Sequence, residues 1–133
     1  MPTDVVLDTH ALVWWADESP QLSAPARAVI AGASAVVVSA ISFWEIGMLI
    51  EKGRLRLDRS LERWQLAVLA QPSVLELPMS ADIARTAAEL SGFHGDPADR
   101  IIVASALTTQ RHLISRDARI ADWASSNDLT CVW

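Results

Sequence analysis

A continuous apolar run, Val5-Val6-Leu7, begins almost at the N-terminus and stops at an acid, Asp8, followed by Thr9-His10. A run without polar alternation suits a strand covered on both faces, as in the middle of a parallel sheet. In open α/β sheets, ligands sit beyond the carboxyl ends of the strands, where the chain leaves for its next helix. Asp8 occupies such an end. Asp is also among the best helix N-caps. On its own, then, Asp8 has a plain structural reading, and a functional one depends on which other acids reach the same rim.

The pattern recurs to the end of the chain. Residues 11–16 read as a short helix ending near Asp17-Glu18-Ser19-Pro20, and Ser23 caps a second helix with Pro25 in its first turn. Residues 35–39 form a second buried strand. Residues 41–52 form a helix ended by Gly53 and apolar nearly all round, through Phe43, Trp44, Ile46, Met48, Leu49 and Ile50. Such a helix is buried on more than one side and suits contact with a partner subunit. A basic connector leads to a helix over 60–70, then to a third strand over 74–77. Ser80 caps the next helix, Asp96-Pro97 opens another that reaches about Thr109, and 112–115 is a fourth strand. Asp117 caps a short helix, and 129–133 is a fifth strand. Strands separated by helical patterns mean βαβ units. The expectation is one α/β domain over 1–133, with a central, mostly parallel five-stranded sheet flanked by helices.

Length and composition agree with this. A chain of 133 residues, 51% apolar, is one domain with a real core. The single cysteine, Cys131, excludes an internal disulfide and fits a reducing compartment. No basic segment precedes the first strand, and Glu45 and Glu51 interrupt the longest apolar stretch, so the expectation is a soluble cytoplasmic domain with no membrane span. A net charge of −5 argues against a general nucleic-acid coat protein. It leaves room for an enzyme acting on nucleic acid whose acids are gathered at a metal site.

Four acids fall at strand ends or helix starts: Asp8 after strand one, Glu45 early in the helix after strand two, Asp99 in the first turn after Asp96-Pro97, and Asp117 after strand four. A right-handed parallel α/β fold gathers these positions along one rim. Each has a local alternative. Ser42 and Glu45 fit a capping box, Asp99 suits the positive end of a helix, and Asp117 is an ordinary N-cap. Yet Glu45 shares its stripe with Ile41, Met48 and Leu49, and Asp99 with Ile102, Val103 and Ala106. Both carboxylates therefore face the interior, where an unpaired charge is costly. Converging carboxylates with no basic partner within sequence reach call for a cation, and oxygen ligands suit Mg²⁺ or Mn²⁺.

Four blocks carry a resemblance that spans essentially the whole chain: Leu7-Asp8-Thr9-His10-Ala11-Leu12-Val13-Trp14-Trp15, Val38-Ser39-Ala40-Ile41-Ser42-Phe43-Trp44-Glu45-Ile46 with Gly53-Arg54-Leu55, Gly95-Asp96-Pro97-Ala98-Asp99-Arg100-Ile101-Ile102, and Ser115-Arg116-Asp117. In these the sequence resembles the PIN-domain family, and within it the VapC-type toxins of bacterial toxin–antitoxin pairs. The resemblance maps the family's acidic quartet onto Asp8, Glu45, Asp99 and Asp117, the last being the member that varies most. It implies a ribonuclease dependent on Mg²⁺ or Mn²⁺, an RNA substrate, a VapB-type antitoxin that holds the enzyme inactive, and a homodimeric toxin.

The remaining candidates are supporting ones. Thr9, Asp96 and Ser115 stand next to the quartet as outer residues, with helix capping as the alternative for Thr9 and Asp96. Arg100 and Arg116 suit salt bridging or phosphate. His10, His94 and His112 lack zinc spacing and read as surface or capping residues. Lys52, Arg54 and Arg56 head the one dense basic stretch, a track for an RNA backbone or a solvated face. The six tryptophans read as core or interface. Two rival functions stay open: an inactive PIN-like protein-binding module, and a phosphatase or phosphotransferase with Asp8 as nucleophile.

Overall fold

A computed structural model describes residues 3–133. Five strands, β1 (Val5–Leu7), β2 (Val36–Ser39), β3 (Val74–Leu77), β4 (His112–Ile114) and β5 (Cys131–Val132), form one sheet in the order β3-β2-β1-β4-β5. All four pairings are parallel. The apolar run that opens the chain is the centre of this sheet. Val5, Val6 and Leu7 are wholly buried, and each pairs on both sides, Val5 with Val36 and with His112. Alternate residues feed opposite layers, as the two-residue period of a strand requires. Val5, Leu7, Val36 and Val38 pack with Leu12, Ile46 and Trp64 on one face, while Val6, Val37 and Leu113 pack with Ile102, Val103 and Ile120 on the other.

Seven helices connect and cover the strands: α1 (Thr9–Ala16), α2 (Ala24–Ala31), α3 (Ala40–Glu51), α4 (Leu61–Leu69), α5 (Ala81–Glu89), α6 (Pro97–Thr108) and α7 (Ala118–Ser125). Each begins at an Asp or Ser whose side chain accepts a backbone N–H of the first turn. Each such cap contributes roughly 1 kcal/mol. Gly53, at φ +72°, ends α3 in the left-handed conformation, donating to Ile50 O as Arg54 donates to Leu49 O.

Three boundaries differ from the sequence reading, each for a local reason. α1 starts at Thr9 because Asp8 caps it directly, with Oδ1 accepting the N–H of Ala11 at 2.8 Å. α3 starts at Ala40 with Ser39 as its cap, which removes the capping box proposed for Ser42 and Glu45. Ser42 is instead buried inside the helix, its Oγ accepting from the Thr9 hydroxyl at 3.1 Å. β5 shrinks to two residues because only Cys131 and Val132 find partners on β4.

The chain runs from β1 to β2 and β3 on one side, then crosses over to β4 and β5 on the other. The order therefore reverses between β1 and β4, and the crevice outside their carboxyl ends is where such sheets bind ligands.

Candidate metal centre

Asp8 stands at that crevice, the first residue after β1 and only 7% exposed. Besides the Ala11 amide, its carboxylate takes a hydrogen bond from the Ser115 hydroxyl, whose oxygen in turn accepts the N–H of Asp117. Burial pushes the Asp8 carboxyl above its ordinary range, against the opposing pull of Ser115, Ala11 and His10. A carboxylate fixed in this way is poorly placed to act as a nucleophile, and the phosphotransferase reading gains no support.

The other three acids arrive from three different elements. Glu45 projects from the second turn of α3, Asp99 from the first turn of α6, and Asp117 follows β4 as the cap of α7. All four line one cleft of about 460 Å³, together with Thr9, His10, Trp14, Asp96, Arg116 and Arg119. The Thr9–Ser42 hydrogen bond ties the first turns of α1 and α3, the elements that bear Asp8 and Glu45. The Thr9 hydroxyl donates to Ser42, and the cap of α1 is Asp8.

Donor atoms within the cleft are close enough to share an ion. One oxygen each from Glu45, Asp96 and Asp99 lies within 4.8 Å of the others, and so do donor atoms of His94, Asp99 and Asp117. Asp99 belongs to both sets. Burial and the neighbouring Asp96, Glu45, Asp117 and Asp8 charges raise its pKa to about 7. Such an arrangement resists holding its full negative charge without a cation. The donors are chiefly carboxylate oxygens, which fits Mg²⁺ or Mn²⁺.

Several side chains stand where sequence did not put them. Asp96 caps α6 by accepting the Asp99 N–H, and one of its oxygens also lies in the close set with Glu45 and Asp99. His94, read as a surface or capping residue, brings Nε2 to 3.2 Å from Asp99 Oδ2. A basic partner does lie within sequence reach. Arg119 folds back over the cap of α7, donating Nη2 to Asp117 Oδ2 at 3.0 Å, and comes within 3.9 Å of Asp99. Its hydrogen bonds outweigh the effect of partial burial and leave the Asp117 carboxyl below its ordinary range. The short step from an N-cap Asp to a long side chain two residues on is the signal that would have found it.

The basic residues divide sharply. Arg100 neither bridges an acid nor faces the cleft; its guanidinium donates to the carbonyls of Ala87, Ala88, Leu90, Phe93 and His94. Those carbonyls lie at the end of α5 and in the loop beyond it, where a helix leaves acceptors unsatisfied. Arg116 makes no ion pair among the described residues and lies over the Trp14 ring. Lys52 and Arg54 are exposed at the far end of α3, about 10 Å along its axis from Glu45. Arg56 lines a separate cleft of about 490 Å³ with Asp17, Asp58, Arg59 and Trp64. That cleft mixes both signs of charge, and Asp58 is already paired with Arg59, so it has no comparable set of converging acids.

Comparison with known proteins follows the same lines. The model of the PIN domain matches residues 5–125. Ribonuclease VapC22 of Mycobacterium tuberculosis (strain ATCC 25618 / H37Rv) is 36% identical over 132 residues, covering 98% of this chain and 99% of that protein. Among solved structures, VapBC2 from Rickettsia felis, bound to a DNA fragment from its promoter, superposes with a TM-score of 0.70 at 15% identity, covering 98% of each chain. VapBC-5 from Mycobacterium tuberculosis gives 0.64 at 20% identity, again over 98% of each.

Proposed function

This chain belongs to the PIN-domain family, and we propose that it is a VapC-type toxin: an endoribonuclease that hydrolyses RNA phosphodiesters with Mg²⁺ or Mn²⁺ held by Asp8, Glu45, Asp99 and Asp117. The observation that carries this reading is the meeting of four carboxylates from four separate elements in one cleft at the β1/β4 crossover. The ribonuclease at 36% identity over nearly the full chain supports the reaction class.

Asp99 and Glu45 are the central ligands of this reading, with Asp96 close enough to complete their set. Asp8 is held in one orientation by the Ala11 amide and the Ser115 hydroxyl, so its charge faces the cleft without reorganisation. Asp117, tied to Arg119, contributes from the cap of α7. When bound, Mg²⁺ or Mn²⁺ held by these residues would supply charge neutralisation at the attacked phosphate and a more acidic water. The chain's own part is to fix the ligands and to gather acids around Asp99, so that its carboxylate would be favoured by a cation.

The partners that follow are an RNA substrate, a VapB-type antitoxin and a second copy of the chain. The solved relatives named as VapBC pairs support an antitoxin partner. Among the described residues no helix is long and apolar enough to cross a membrane. Incubating the purified chain with RNA in excess Mg²⁺ or Mn²⁺, and again with chelator, tests the reaction. Cleavage that chelator stops, and that Asp99→Asn lacks, is the expected result. Cleavage indifferent to both rules out the site, and no cleavage under any condition favours the protein-binding alternative.

A further inference from the structure

An acidic cleft repels the polyanion it is meant to cut. Five carboxylates line it (Asp8, Glu45, Asp96, Asp99, Asp117) against two guanidiniums, Arg116 and Arg119. Arg119 is already spent on Asp117, through Nε at 3.3 Å and Nη2 at 3.0 Å. Arg116 is not: it is exposed, and among the described residues it makes no hydrogen bond or ion pair. What holds it is an aromatic surface. Its Cζ lies 5.8 Å from the centroid of the Trp14 ring, within the range of a cation–π contact. Trp14 is itself braced by His10 and Trp133, each with ring centroids 5.6 Å away. A stacked guanidinium keeps its in-plane N–H donors free and loses little side-chain freedom when they are used.

We propose that Arg116, laid on Trp14 at the mouth of the acidic cleft, is the residue that receives a backbone phosphate of single-stranded RNA beside the scissile one, with Trp14 as its positioning residue. The inference rests on the ribonuclease reading for its substrate, but it predicts binding, which is measured without turnover. Arg100 offers no competing handle, because its donors are taken by five backbone carbonyls.

The test uses the full chain carrying Asp99→Asn to prevent cleavage, and a fluorescein-labelled oligouridylate read by anisotropy across a salt series. Arg116→Ala should weaken binding severalfold and reduce the slope of log affinity against log salt by about 0.7, the single-strand value for one phosphate contact. Arg119→Ala removes the same charge from the same cleft and should leave the slope unchanged. Equal losses in both variants would mean a general field and overturn the proposal, as would an unchanged slope in Arg116→Ala. Trp14→Leu should weaken binding in the presence of Arg116 and have no further effect in Arg116→Ala. Independent, additive losses overturn the role given to Trp14. Should Trp14→Leu fail to fold by circular dichroism, Trp14→Phe, which keeps an aromatic face, should bind nearly as the parent does, and a loss as large as that of Arg116→Ala would overturn that role. Absence of metal-dependent cleavage by the unmodified chain would instead strike the ribonuclease reading and leave the binding result to stand or fall by itself.

Discussion

His94 presents Nε2 to Oδ2 of Asp99 at 3.2 Å, while its Nδ1 accepts the backbone N–H of Asp96. The second contact decides the tautomer. With Nδ1 accepting, the neutral ring carries its proton on Nε2, where it faces the Asp99 carboxylate. Nε2 is buried and makes no well-aligned hydrogen bond among the described residues, so Asp99 Oδ2 is its nearest charged neighbour rather than a fully aligned acceptor. His94 therefore stands against Asp99, the residue that also belongs to the close set with Glu45 and Asp96. Outer partners of this kind orient ligands and are commonly worth 10- to 100-fold in metal affinity.

His94→Ala should accordingly weaken Mn²⁺ binding by roughly ten- to a hundredfold, measured by titration calorimetry, with secondary structure unchanged. Affinity equal to that of the unmodified chain would show that Asp99 needs no such support.

Asp99, with a pKa raised to about 7 by burial and its acidic neighbours, makes metal-free stability fall as pH rises. Between about pH 4 and 7 the folded state keeps a proton that the unfolded chain has lost, so stability is greatest below that window and is lost through it. A shift from 3.8 to about 7 corresponds to about 4 kcal/mol at most. Denaturant melts in chelator at pH 5 and 8 should show the fall in the unmodified chain and a much smaller one in Asp99→Asn.

Asp8→Asn should raise the melting temperature in chelator and erase most of the increment from added metal. Asn keeps the cap on α1 and removes a buried charge whose pKa burial has raised. In the unmodified chain, metal at a hundredfold excess over its dissociation constant should add about 2.7 kcal/mol. A purely structural Asp8 would show neither effect, and thermal melts of both proteins with and without metal decide between them.

Arg100→Ala should destabilise the fold by roughly 2–4 kcal/mol, since several partly buried carbonyls lose a charged donor together. The loop from Leu90 to Asp96 also carries His94, so the same change should weaken metal binding, although Arg100 lines no part of the cleft. A stability loss with metal affinity intact would show that the loop holds His94 without it.

Asp117→Asn should retain measurable RNA cleavage where Asp8→Asn, Glu45→Gln and Asp99→Asn abolish it. Arg119 already neutralises much of the Asp117 charge. Loss of activity in Asp117→Asn as complete as in Asp99→Asn would place it among the essential ligands.

What the chain order alone determined was local or periodic. The β-branched runs at Val5 and Val36 specified buried strands, Ser and Asp caps set where helices begin, and the alternation of the two required a parallel sheet with its acids on one rim. Those features depend on neighbours a few residues away and on the two-residue and 3.6-residue periods, which a sequence displays directly. Tertiary structure decided what each polar side chain touches. His94 meets Asp99 across a loop whose carbonyls Arg100 gathers; Ser42 left its expected capping role because Ser39 began the helix earlier and Thr9, 33 residues away, offered a hydroxyl. Arg116 and Arg119 flank the same acid, yet one pairs with it and the other lies on Trp14. Both are arginines in loop or first-turn positions, and only the directions of their side chains, set by packing between elements distant in the chain, separate the ion pair from the guanidinium laid on an aromatic ring.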